Sequence, residues 1–199
     1  MSKSGSPSAA SAGRCERSEA EGERVNGKDD LDPFILTAML PRDLHAWATA
    51  LRTEHFPPER NYLEAHVTLF HALPPHCGDE IGRTLKSLAA QTAPLPARLE
   101  GVMSLGRGTA LKLTSPELLD LRHDIADRFH GMLTGQDQHA PRLHITVQNK
   151  VPSAQAKALQ AELEPQVMPR DFAFRGLALY RYRGGPWELV KDYVFRKAS

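Results

Sequence analysis

The 199 residues carry 25 lysines and arginines against 24 aspartates and glutamates, a formal net charge of +1, with 41% hydrophobic and 25% charged residues. That balance describes an ordinary globular chain and leaves no global basic field to hold long duplex nucleic acid through many phosphate contacts. No run approaches the roughly 18 consecutive apolar residues of a membrane span, and the first thirty residues lack the apolar core of a secretory signal, so a cytoplasmic protein without a membrane partner is expected. The two cysteines, Cys15 and Cys77, offer no metal site with paired thiolates.

Residues 1–32 are mostly serine, glycine, alanine, arginine and glutamate, with almost no large apolar side chain. Such a segment buries too little surface to offset its ordering entropy, which predicts a disordered tail. The folded part, 33–197, alternates strand and helix signals. Residues 34–40 read as a strand closed by Pro41, which opens a helix with the apolar stripe Leu44, Trp47, Ala48 and Leu51. A second strand follows at 65–70, then a helix through Ile81, Leu85, Leu88 and Thr92, then a strand at 97–105. A second pass begins with a strand at 109–113. Ser115-Pro116-Glu117 predicts a capped helix start, with Leu118, Leu121, Ile125, Phe129 and Met132 as its buried stripe. A strand at 143–147 and a helix capped by Ser153 come next. One long strand spans 172–182 and turns at Gly184-Gly185 into a terminal strand at 187–195.

Strand, helix, strand, helix, strand therefore occurs twice, over about 34–105 and 109–182. The two copies share sequence at one place, where His66-Val67-Thr68-Leu69 corresponds to His144-Ile145-Thr146-Val147. Side chains alternate across a strand, so each His-x-Thr puts an imidazole and a hydroxyl on one face and aliphatic anchors on the other. By the same alternation Phe70 joins the face of the first motif and Gln148 that of the second.

Two imidazoles with ordinary pKa values near 6.5 can hold opposite protonation states at neutral pH, one as general base and the other as general acid. Two hydroxyls can donate hydrogen bonds to the non-bridging oxygens of a phosphate held between them. Those parts suit in-line attack of water on a cyclic phosphodiester, and they require neither a metal nor a nucleophilic side chain. A Gly-x-x-x-x-Gly-Lys-Ser/Thr loop, a Lys-x-Asp-Gly motif and a Gly-x-Ser-x-Gly elbow are all missing from the sequence, which disfavours ATP-dependent ligases, kinases and serine hydrolases.

The duplicated His-x-Thr strands resemble the 2H phosphoesterase superfamily and, within it, the 2′-5′ RNA ligase-like proteins. The resemblance spans nearly all of 33–197, with its recognisable sequence confined to the two motifs and their flanks. It implies a single α+β domain of two pseudo-symmetric lobes, each an antiparallel sheet with outer helices, around a central cleft that carries both motifs. It further implies a metal-independent cyclic phosphodiesterase acting on 2′,3′-cyclic phosphates of nucleotides or RNA ends, with no cofactor. His66 and His144 would be the acid and base pair, and Thr68 and Thr146 the phosphate-binding hydroxyls. The alternative is an RNA-end-binding or 2′-5′ RNA-joining protein with little net hydrolysis.

Gln148, Lys150, Lys112 and Tyr182 are candidate substrate contacts: Gln148 by its place on the motif face, Lys150 because it follows, Lys112 because it alternates with apolar Leu111 and Leu113 and so takes the opposite face of its strand, and Tyr182 by its place in the terminal hairpin. Tyr182 belongs to a cluster with Arg181, Arg183 and Trp187 at the terminal hairpin, where stacking and charge suit a nucleotide. The remaining histidines, including His71 and His139, receive no role, and His66, His71 and His76 lack the spacing of a zinc site. A monomer is expected.

Overall fold

The computed structural model describes residues 32–196, so the expected tail, apart from Asp32, lies outside the described residues. The elements in chain order are β1 (Phe34–Met39), α1 (Arg42–His55), β2 (Val67–Leu73), α2 (Gly78–Gln91), β3 (Leu95–Ser104), β4 (Gly108–Thr114), α3 (Pro116–Arg128), β5 (His144–Asn149), α4 (Ser153–Leu163), β6 (Arg170–Phe174), β7 (Gly176–Tyr182) and β8 (Trp187–Val194). They form two antiparallel four-stranded sheets, in the orders β2-β1-β7-β8 and β5-β4-β3-β6, with helices packed against them. This is the α+β, two-sheet architecture that the family resemblance implies.

Local chemistry accounts for most element boundaries. Pro41, extended at φ −62° and ψ 151°, leads into α1, and Leu44, Ala48 and Arg52 fall on its buried face at intervals of four. The Ser115 hydroxyl accepts the Leu118 N–H at 3.3 Å and donates to the Pro96 carbonyl at 2.7 Å, so it caps α3 and ties it to β3. At α4 the expected cap moves by one residue. Ser153 is the first helical residue and Pro152 holds the cap position without a side-chain hydrogen bond, because the ring of proline fixes the extended entry that a capping side chain would otherwise favour.

Two differences are topological. The strand expected over 172–182 is β6 and β7, divided at Arg175, and the halves pair in different sheets: Phe174 with Leu95 and Gly176 with Met39. Hydrophobic patterning reports extended chain and is blind to which partner each half finds. A side chain at Gly176 would place its Cβ 2.4 Å from the Tyr193 carbonyl oxygen, so the crossing demands glycine.

The two sheets also exchange strands between the two copies read along the chain. β3, the last strand of the first copy, pairs in the sheet of the second, while β7 and β8 return to the first. Both motif strands, β2 and β5, are consequently sheet-edge strands and equivalent in position. A single apolar core joins both halves, from Leu36, Leu69 and Leu85 on one side to Leu111, Ile145 and Leu159 on the other.

Candidate active site

Each motif begins with the same local device. His66 lies immediately before β2 and His144 opens β5. The His66 Nδ1 is 2.8 Å from the Glu64 carbonyl oxygen, and the His144 Nδ1 is 2.7 Å from the Arg142 carbonyl oxygen. A carbonyl only accepts, so Nδ1 carries the proton in each ring and Nε2 is left to meet a ligand. His66, Thr68, His144 and Thr146 all line one cavity of about 520 Å³, a volume within the range of small-molecule sites.

The two motif strands bulge at the same place. Thr68 pairs with Thr37 and Phe70 with Leu36, so an extra residue enters β2 between them; Thr146 pairs with Ala110 and Gln148 with Thr109, and β5 does likewise. A bulge reverses the alternation beyond it. Phe70 is therefore buried, and so is Gln148, only 2% exposed. His71 and Asn149 take the places on the cavity wall that strict alternation assigned to those residues. Gln148, with its Oε1 unpartnered among the described residues, faces the interior. Lys150 and Tyr182 do not line this cavity, and Lys112 lines a neighbouring apolar groove with Leu119 and Pro141. The structure thus brings the two histidines and two threonines together and leaves the four candidate substrate contacts off the wall.

Of the cluster expected at the terminal hairpin, Trp187 is the member that reaches the wall. It lies on β8 and stacks at a tilt on His66, ring centroids 4.7 Å apart, with Tyr180 behind it at 5.7 Å. Other wall residues carried no sequence signal. The segment between α3 and β5 contributes Asp137, His139 and Arg142. Two buried arginines support the motif strands, Arg122 on the wall itself and Arg52 off it. Arg52 of α1 donates to the Thr146 carbonyl at 2.9 Å, the Leu63 carbonyl at 2.8 Å and the Asn61 side chain at 2.9 Å. Arg122 of α3 donates to the Leu69 carbonyl at 3.4 Å and to the Asp137 carbonyl, with its guanidinium over the Phe70 ring. Each arginine reaches from a helix of one half to the motif strand of the other.

Burial, reinforced by the positive charge of Arg52, outweighs the hydrogen bond to the Glu64 carbonyl and lowers the His66 pKa to about 4. His66 is therefore neutral at pH 7, with an unprotonated Nε2. Burial also pulls the Arg52 guanidinium down to about 10, which leaves it charged at neutral pH. Among the described residues no group of three or more His, Cys, Asp or Glu stands close enough to hold a metal ion.

The model of the 2′-5′ RNA ligase superfamily matches residues 40–186, and the chain belongs to that family, which the 2H phosphoesterases share. Solved structures with the same fold include TT0787 of Thermus thermophilus, at 19% identity and TM-score 0.57, covering 84% of this chain and 100% of that one. A phosphoesterase crystal structure aligns at 15% identity and TM-score 0.56, covering 83% and 99%. Escherichia coli LigT complexed with 3′-AMP aligns at 15% identity and TM-score 0.55, also covering 83% and 99%. No curated protein matches the chain.

Proposed function

We propose that the protein is a metal-independent cyclic phosphodiesterase that opens 2′,3′-cyclic phosphates on nucleotides or RNA ends. The observation that carries the reading is the pair of His-x-Thr motifs on one cavity wall, each histidine presenting Nε2 by the same Nδ1 hydrogen bond. The neutral His66 is the general base. Its Nε2 takes a proton from water as the water oxygen bonds to phosphorus, and His144 in its protonated form gives a proton to the ribose oxygen whose bond to phosphorus breaks. One water is consumed and a phosphomonoester results; exchange with solvent resets both rings. Thr68 and Thr146 donate to the non-bridging oxygens, where charge grows in the transition state.

Trp187 and the apolar wall residues Met103 and Leu105 offer surface for the base. The family membership and the 3′-AMP held by the similarly folded LigT accord with a nucleotide that bears phosphate on its ribose.

The test is hydrolysis of the four nucleoside 2′,3′-cyclic monophosphates and of a short RNA ending in a cyclic phosphate, with EDTA present. His66→Ala and His144→Ala should each lower kcat by about 10²–10⁴-fold, the usual contribution of a positioned acid or base. Turnover that persists in either variant would overturn the two-histidine mechanism. Binding of the RNA end without turnover in the wild type would favour an end-binding protein, and net joining of RNA ends would favour a ligase.

A further inference from the structure

His71 is a third imidazole on the cavity wall, and its setting differs from that of an ordinary surface histidine. The bulge in β2 turns it to the same side as His66 and Thr68. Its side chain is 47% exposed, yet Nδ1 is 3.2 Å from Oδ1 of Asp137, whose side chain is 2% exposed. Asp137 also accepts the N–H of His71 at 2.9 Å and of Ala72 at 2.8 Å, with the Thr134 hydroxyl at 3.4 Å. Burial pushes the Asp137 carboxyl up, but the hydrogen bonds from His71 and Ala72 outweigh it and hold the group below the usual carboxylate range. A buried, ionised carboxylate accepts the Nδ1 proton and so fixes the ring with Nε2 towards the cavity, the atom that a protonated ring would offer to an anion.

Arg122, His139 and Arg142 stand on the same wall, Arg122 already donating to the Leu69 and Asp137 carbonyls, and among the described residues the only acidic one on it is Asp137, already engaged by His71. One phosphate between the two motifs occupies His66, Thr68, His144 and Thr146. The basic side chains of His71, His139 and Arg142 are left for another anion.

We propose that His71, oriented by Asp137 and assisted by Arg142, binds a second phosphate of the substrate, the one on the 5′ oxygen of the nucleoside whose 2′,3′ end reacts. That group is a monoester in a free nucleotide and a diester where an RNA chain precedes the terminal nucleoside. The inference rests on the reading of the cavity as a nucleotide phosphate site and extends it from one phosphate to two.

Calorimetric titration with adenosine 3′-phosphate, adenosine 3′,5′-bisphosphate and the dinucleotide ApAp tests it without requiring turnover. The wild type should bind the bisphosphate or the dinucleotide at least about tenfold more tightly than the monophosphate. A gain for the bisphosphate alone identifies the monoester as the ligand, and a gain for ApAp alone identifies the diester. In His71→Ala and in His71→Gln, each checked for wild-type thermal unfolding, the gain should fall below about threefold. No gain in the wild type, or a gain retained in both variants, overturns the proposal. Loss of cyclic-phosphate hydrolysis in His66→Ala is scored separately, so failure of the catalytic reading and failure of the second phosphate position give different patterns.

Discussion

At the scale of single residues, the cavity uses two similar motifs in two different environments. His66 is packed against Trp187 and lies within the field of Arg52, and its pKa drops to about 4. The sign of the consequence is determined. Between the unfolded value near 6.5 and the folded value near 4, the unfolded chain binds a proton at this position and the folded chain does not, so the contribution of His66 to stability falls as pH drops through that window. Activity that depends on a neutral His66 should persist below pH 6 and decline towards pH 4, as a pH profile of kcat/KM would show. In Arg52→Met the nearby positive charge is gone, and the His66 titration followed by NMR should move up from about 4 towards 6.5. The same variant leaves the carbonyls of Leu63 and Thr146 without their donor and should lose about 1–3 kcal/mol for each that stays unsatisfied, as measured by urea unfolding. An unmoved titration would sink the assignment of Arg52 as a charge acting on His66. Sequence reading did not find Arg52, because a charged residue at a core position of a helix has the pattern of a solvated face until its partners, from residues 61, 63 and 146, are brought together.

At the scale of elements, the motifs were legible and their exits were not. Two aliphatic residues flanking a threonine specify a strand with the histidine and hydroxyl on one side. The bulge that follows Thr68 and Thr146 depends on pairing with β1 and β4, so alternation alone assigned Phe70 and Gln148 to a wall that His71 and Asn149 occupy. Ser115 illustrates the opposite case, since a cap followed by proline was readable directly and the structure bears it out. Ser115→Ala removes both the cap on Leu118 and the tie to the Pro96 carbonyl, and thermal unfolding should report a loss of about 1–2 kcal/mol. A change within a few tenths would mean that water replaces the hydroxyl at both positions.

At the scale of the whole molecule, the exchange of strands binds the two halves into one cooperative unit. The sheet that holds His66 is completed by β7 and β8 from the end of the chain, and the sheet that holds His144 is completed by β3 from the first half. Arg52 and Arg122 add hydrogen bonds across the same divide. Neither half can complete its sheet alone, so calorimetry should show one transition with equal van't Hoff and calorimetric enthalpies. Two resolved transitions would show that the halves fold independently despite the shared core.

The sequence by itself determined the alternation of strands and helices, the duplication, and the two His-x-Thr motifs, because each is written in local periodicity and residue type. Only the tertiary structure decided which sheet each strand joins, where alternation breaks, and which polar side chains reach the cavity. Those features depend on contacts between residues far apart in the chain: Asp137 with His71, separated by 66 positions, and Arg52 with Thr146, separated by 94. Local propensity carries no term for such pairs, and the depressed pKa of His66 arises from burial, to which the Arg52 charge adds, both of them products of the folded chain.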